Sequence, residues 1–556
     1  MRATVTGQGG VLERRQGRQD GSIQTNVKNS HPLFRDTKET QTALFTHGNF
    51  VTKIPESFTV IGSHDVEYSD SDGNTQTTKV ISAIEDGNHV AVQFHPEVFD
   101  DTPEGYQLFK NFFSKIANLK PSPELQEKKT EQQIESIRAN IREKVGDKEV
   151  IAFVSGGVDS SVATALAATE IDNSKLHAYY IDNGFMRDED ELVIDLLEHL
   201  GVHVTKIDAT EQFMNTTLNS TPASLPLKNV IDPQEKRKII GKTFIDVQNQ
   251  IVEQLGLTEA MLLQGTNAAD RIESGNSKGG SETAVIKTHH NQVKEVQDLK
   301  ERGLLIEPLD ELFKDEIRTI GRHLGLPTEV VDRHPFPGPG LAIRVLGSRG
   351  EEKVDIKLNE RVARYVDSYQ KLWGTNTQSL VLPVRNVGVG GDERSHVSPV
   401  ALFTEFANWD QLSNIAIDLP ANFRDQINRV IIALGPNQPN DMRVTETGLG
   451  TVERAQLRHA DRIVFEEMRT FGIIDSIKQC PVVLLPLNFA KQPGSRSIVL
   501  RPVITSTFMT VQAMLPGRDL PPEFVNTCSE RILSEVHGIS QVFLDLTNKP
   551  PGTTEW

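Results

Sequence analysis

The sequence predicts an α/β protein: a doubly wound parallel sheet in the middle of the chain, a smaller α/β unit before it and an α+β unit after it. Between 150 and 266, short apolar runs alternate with helical stretches, the pattern of a parallel sheet covered on both faces. The 556 residues exceed what one core organises, and roughly 100–200 residues per domain suggests three or four units. Two proline-rich joints, LKPSPE at 119–124 and HPFPGPG at 334–340, flank the alternating stretch.

In chain order, residues 1–118 hold strand-like pieces such as SFTVIGS (57–63) and HVAVQFHPEV (89–98), closing with an amphipathic helix at 104–119. The charge-rich segment 124–146 places Leu125, Ile134, Ile137 and Ile141 near helical spacing, so it reads as a solvated helix with one packed stripe rather than a nucleic-acid arm. Strands follow at VIAFVS (150–155), KLHAYYIDNG (175–184), VHVTKID (202–208) and AMLLQGT (260–266). Helices are expected between them at 160–169, 188–201 and 234–256. Beyond 341 the strands SLVLPVRNVGVGG (379–391), CPVVLLPL (480–487) and SIVLRPVITS (497–506) mark the α+β unit.

Composition narrows the function. A hydrophobic share of 37% with 24% charged residues is ordinary globular material. A net charge of −17 provides no field for gathering nucleic acid, and no apolar run approaches the ~18 residues of a membrane span. The first residues are basic but lack the apolar stretch of a secretory signal. Cys480 and Cys528 are the only cysteines, which excludes a disulfide framework and suits a reducing cytosol, the expected location.

The sharpest chemical signal is SGGVDSS, comprising Ser155, Gly156, Gly157, Val158, Asp159, Ser160 and Ser161, between a strand and a helix. A pyrophosphate at that turn needs close backbone approach, which the two glycines allow, and N–H groups aimed at the anion, which a helix N-terminus supplies. The three serines add hydroxyl donors. Asp159 repels bare phosphate, so its presence points to Mg²⁺, held directly or through water. With no GxxxxGK[ST], this is not a Walker loop.

SGGVDSS is similar to the pyrophosphate loop of the N-type ATP pyrophosphatases, which implies cleavage of ATP between its α and β phosphates and an adenylylated acceptor. Other segments resemble the GMP synthetases within that family: IDNGFMR (181–187), EKRKIIG (235–241), QGT (264–266), IKTHHN (286–291), EPLDELFKDEIR (307–318), HPFPGPGLAIRV (334–345), VGVGGDERS (387–395), KQPGSRS (491–497) and TNKPPGTTEW (547–556). The resemblance implies four parts: a partial class I amidotransferase unit at 1–119, a linker helix at 120–147, an ATP pyrophosphatase unit at 148–335 and a terminal unit for dimerisation and acceptor binding at 336–556. It implies ATP and xanthosine monophosphate (XMP) as substrates, with Mg²⁺ as cofactor and ammonia or glutamine as the nitrogen source. It places XMP on Arg237, Asp392, Gln492, Lys549 and Glu555, and it leaves monomer and homodimer both open. On so acidic a chain the basic run at 236–238 suits a nucleotide phosphate, with a surface charge run as the alternative, while His289 and His290 read as ordinary hydrogen-bonding histidines rather than zinc ligands.

THGN (46–49) and QFHPEV (93–98) resemble the later part of a class I glutamine amidotransferase, where the His and Glu of HPE, here His95 and Glu97, activate a cysteine thiolate. No cysteine precedes residue 480. The expectation is a truncated glutaminase whose nucleophile is missing, and a chain that depends on free ammonia.

Overall fold

The computed structural model describes residues 11–69, 75–87, 89–99, 101–119, 129–187, 191–219, 224–273, 294–334, 336–373, 377–390, 393–404, 408–423, 425–435, 439, 442–490, 492–505 and 510–556. The first unit is a five-stranded sheet of β1 (Val11–Val27), β2 (Thr40–Lys53), β3 (Thr59–Ser69), β4 (Thr75–Glu85) and β5 (Val90–Val92), ordered β2-β1-β3-β4-β5. All four pairings are antiparallel. Only the first residues of HVAVQFHPEV pair as a strand. The chain then turns off at a proline, and the His95 N–H donates to the Leu44 carbonyl of β2 at 3.0 Å. The helix expected at 104–119 forms as Gly105–Asn111 and widens into a π turn at Phe112–Ile116, with Leu108 closing a core of Phe34, Phe45 and Phe94.

The central unit is the predicted parallel sheet. β6 (Val150–Val154), β7 (Leu176–Asp182), β8 (Val204–Asp208), β9 (Met261–Leu263) and β10 (Leu305–Ile306) are ordered β10-β9-β6-β7-β8. Every pairing is parallel. The chain runs outward from β6 to β8, then returns to lay β9 on the other side of β6. That reversal makes a switch point, and ligands of such sheets bind at the strand C-termini beside it. The stripe read at 124–146 is real. Ile134 and Ile141 of helix Lys129–Val145 are buried in the same core as β6, while Leu125 lies outside the described residues.

The terminal unit is a mixed sheet. Its strands run in the order Thr377–Val381, Glu393–Thr404, Ile427–Ala433, Ile539–Asp545, Arg496–Leu500 and Val482–Leu485, with Asn386–Gly390 hairpinned onto Glu393–Thr404. Helices Ile356–Trp373, Trp409–Asn422, Thr451–Thr470 and Pro522–Glu535 complete the α+β pattern. This unit and the central one share a core. Ile239 and Ile240 of helix Pro233–Leu255 are fully buried in one apolar cluster with Leu341, Val345, Leu457 and Val482. The joint at 334–340 is pinned as well. Gly340 sits at φ +67°, where an added Cβ would lie 2.5 Å from the Phe185 carbonyl oxygen. The next N–H, from Leu341, donates to that same oxygen at 2.8 Å.

The last residues pack into the terminal unit, where Trp556 is buried in a separate apolar cluster with Leu382, Phe489 and Phe543. Asp545 is fully buried and accepts from Arg429 at 2.7 Å, lies 3.0 Å from Arg501 and accepts from the Trp556 indole N–H at 2.9 Å. Arg429 also donates to the Thr553 carbonyl and Arg501 to that of Thr554, so two buried guanidiniums hold the tail by its backbone. One carboxylate thus offsets two buried cations. Asp545→Asn should therefore cost about 3–5 kcal/mol, the range for breaking a buried pair from one side. The check is a lower denaturant midpoint with loss of the buried Trp556 fluorescence, and an unchanged midpoint would contradict it.

Candidate active site

The C-terminal ends of β6 and β9 open onto a cavity of about 820 Å³, lined by Ser155, Gly156, Gly157, Val158, Asp159 and Ser160 on one side and by Gln264, Gly265, Lys314 and Arg333 around them. The loop is built by its glycines. Gly156 sits at φ +77°, a left-handed conformation that a side chain disfavours. Gly157 caps the helix Val158–Ala168, whose free N–H groups face the loop. Gly265 is constrained by space, since a Cβ there would lie 2.7 Å from the Asp159 backbone carbon, so the loop after β9 can underlie the loop after β6 only as glycine.

The serines divide. Ser155 and Ser160 lie 3.2 Å apart through their hydroxyls at the exposed mouth of the loop. Ser161 is buried, and its hydroxyl donates to the Gly157 carbonyl at 2.8 Å, which places it inside the helix rather than on the cavity. Asp159 has two distinct oxygens. Oδ2 accepts from the Lys314 ammonium at 2.5 Å, and Oδ1 is buried with no partner among the described residues. The Gln264 side-chain oxygen beside it is buried and unpartnered too. Two oxygen acceptors without donors, next to an anion-binding loop, fit a hard divalent cation. Lys314 begins the helix Lys314–His323, and its contact with Asp159 brings the EPLDELFKDEIR segment to the loop.

The basic run at 236–238 has three different fates. Lys238 is exposed. Lys236 is fully buried, donates to the Val345 carbonyl at 2.9 Å, and is pushed by burial down to about 7. Arg237 is half-buried; burial lowers its pKa, the Arg394 charge lowers it further and the Glu555 charge opposes both. Arg237 and Glu555, two of the residues read as binding XMP, are thus brought into one electrostatic cluster. Glu555 is less free than the sequence implied. Arg344 donates to both of its oxygens, at 3.0 and 2.9 Å, and Gln479 donates to one at 3.2 Å. Burial alone would lower the Arg344 pKa, but the Glu555 charge and hydrogen bonds raise it, so the guanidinium stays charged. Lys549 is half-buried and its backbone pairs with that of Val511, while Gln492 is exposed on the loop that follows Leu487–Asn488. Asp392, His289 and His290 lie outside the described residues.

In the first unit, His95 Nδ1 and Glu97 Oε1 are 2.9 Å apart, and that hydrogen bond holds the Glu97 carboxyl below the usual range. Neither cysteine can serve this pair. Both are buried in the terminal unit, and burial pushes the Cys480 thiol up to about 12 and the Cys528 thiol further still. Sequence reading missed Arg333, Arg344 and Gln479. For the two arginines the available signal was position: Arg333 immediately precedes the HPFPGPGLAIRV segment and Arg344 lies within it.

A phosphate loop at the switch point, an amidotransferase His–Glu pair and a second anionic-ligand cluster on a shared core define an ATP-using carbon–nitrogen ligase. The family models agree: glutamine amidotransferase class I matches residues 1–116, NAD synthase 129–239 and the GMP synthase C-terminal domain 466–556. The chain belongs to the glutamine-hydrolysing GMP synthase family. It is 34% identical to the GMP synthase of Dictyostelium discoideum over 99% of this chain and 81% of that protein. It is 34% identical to a probable GMP synthase of Caenorhabditis elegans over 99% and 80% of the two chains, and 32% identical to that of Streptomyces coelicolor over 99% and 81%. No helix among the described residues is long and apolar enough to cross a membrane.

Asp159→Asn removes the negative charge between Lys314 and the cavity while keeping the shape. It should slow ATP-dependent pyrophosphate release by roughly 100-fold or more with the fold retained, since a metal-holding carboxylate is worth several kcal/mol. A pyrophosphate-release assay beside circular dichroism decides it, and a parent-like rate would remove Asp159 from the chemistry.

Proposed function

We propose that this chain aminates XMP at C2 through an adenylyl intermediate, giving GMP, AMP and pyrophosphate. The observation that carries the reading is the phosphate loop facing a cavity on the same rigid core as the Arg237–Glu555 cluster, which allows an ATP and a nucleotide acceptor to be held in fixed relation. In the first step the XMP O2 attacks the α-phosphorus and pyrophosphate departs. The helix N-terminus at Val158, the Ser155 and Ser160 hydroxyls and Lys314 stabilise the charge on the departing group. In the second step ammonia attacks C2, a proton is lost and AMP leaves, a far better leaving group than the carbonyl oxygen it replaces.

Asp159, with the Gln264 oxygen, is the group that would hold Mg²⁺. When bound, that ion supplies Lewis-acid stabilisation of the phosphates. On the acceptor side Arg237 supplies a cation for the 5′-phosphate. Glu555, fixed by Arg344 and Gln479, presents an acceptor edge to ribose or purine N–H groups. Lys549, Gln492 and Asp392 complete the acceptor set in this reading. The two free, buried cysteines support a reducing cytosolic setting. The direct test is pyrophosphate release from ATP with XMP and ammonium, alongside the NAD synthetase acceptor in place of XMP. Release with that acceptor alone would transfer the reading to NAD synthetases.

The nitrogen source follows from the cysteines. The 556-residue chain should make GMP with ammonium and not with glutamine, because its cysteines are buried in the terminal unit, away from His95 and Glu97. Glutamate release from glutamine by the purified chain would overturn this.

A further inference from the structure

The carbonyl of Gly156 is buried and accepts a hydrogen bond from Arg333 Nη1 at 2.7 Å, across 177 residues of chain. A trans peptide is planar, with its C=O and N–H pointing in opposite directions. Tying the Gly156 oxygen to Arg333 therefore aims the Gly157 N–H the other way, toward the exposed side of the loop. No described residue accepts from that N–H. Gly156 and Gly157 are the two residues in the loop best able to tolerate a flip of this peptide, because neither has a Cβ to block it. The flipped peptide would present a carbonyl oxygen to the anion in place of a donor. Within the loop, Ser160 Oγ bonds the Ser155 N–H and the Gly157 carbonyl, and neither bond fixes the peptide between Gly156 and Gly157.

We propose that Arg333 is a positioning residue for pyrophosphate binding: it locks the Gly156–Gly157 peptide in the orientation that donates to the phosphate. The inference rests on the ATP-site reading above and adds a residue to it. Arg333 is itself anchored from outside the ATP unit. The adjacent His334 donates through Nε2 to the Ile474 carbonyl of the terminal unit at 3.0 Å, and burial lowers its pKa, which keeps the ring neutral. The lock is therefore set by docking of the terminal unit, not by the loop alone.

The test uses the whole chain labelled with ¹⁵N-glycine, titrated with inorganic pyrophosphate and Mg²⁺. In the parent, pyrophosphate should shift the Gly157 amide resonance. In Arg333→Met that shift should disappear, the KM for ATP should rise by about 10- to 100-fold, and the KM for XMP and the melting temperature should hold. Arg333→Lys, which can still donate to the Gly156 carbonyl, should restore the resonance shift and most of the affinity. A Gly157 shift in Arg333→Met equal to the parent's, or a parent-like KM for ATP, would overturn the inference. A parent chain whose Gly157 amide ignores pyrophosphate would instead remove the phosphate-loop reading, and the inference with it.

Discussion

In the proposed reaction two nucleotides react with each other and cannot be held by units that move independently, and the shared apolar core answers that constraint. Helix Pro233–Leu255 belongs to the ATP unit by sequence, yet its Ile239 and Ile240 are buried with Leu341, Leu457 and Val482 of the terminal unit. That packing carries Arg237 to the acceptor cluster while the same unit's β6 carries the phosphate loop. A one-residue rotation of the helix, about 100°, would turn Arg237 away and expose an isoleucine. The apolar stripe therefore sets the register of the charged residue beside it. Gly340 under the Phe185 carbonyl pins the crossing, so residues 336–340 join two units that share one apolar core.

Much of this was legible from residues. Alternation of apolar runs with helical stretches gave the parallel sheet, because strands buried on both faces have no polar face to alternate. SGGVDSS was legible because both glycines and the helix start have local causes. What escaped reading is long-range. Arg333 reaches Gly156 across 177 residues and Arg344 reaches Glu555 across 211, and no local pattern encodes either contact. The basic run shows the same limit from the other side. Lys236, Arg237 and Lys238 look alike in sequence, but helical geometry turns one into the core, leaves one half-buried and turns one to water.

Buried charge is used differently at the two ends of the reaction site. Around Asp545, two guanidiniums and an indole converge on one carboxylate, and the surplus cation hydrogen-bonds tail carbonyls. Such a network is costly to bury and costly to break, and what it achieves here is specificity of path. It holds residues 553–556 in one course, which delivers Glu555 to Arg344 at a fixed place. The tail is gripped by its own backbone, through the carbonyls of Thr553, Thr554 and Glu555.

At Arg237 the imbalance is reversed. The Arg394 charge opposes that of Arg237, the Glu555 and Asp232 charges support it, and Glu555 is shared with Arg344 and Gln479. A half-buried guanidinium that is desolvated, repelled by a like charge and only partly offset by an anion is stabilised by whatever dianion enters beside it. The 5′-phosphate of a nucleotide meets that description, and an uncharged nucleoside does not. In the proposed function, selectivity for a monophosphate acceptor over the bare nucleoside then arises before any contact with the purine. A phosphate beside Arg237 would offset the Arg394 charge, whereas the base must earn its energy from hydrogen bonds that water also makes.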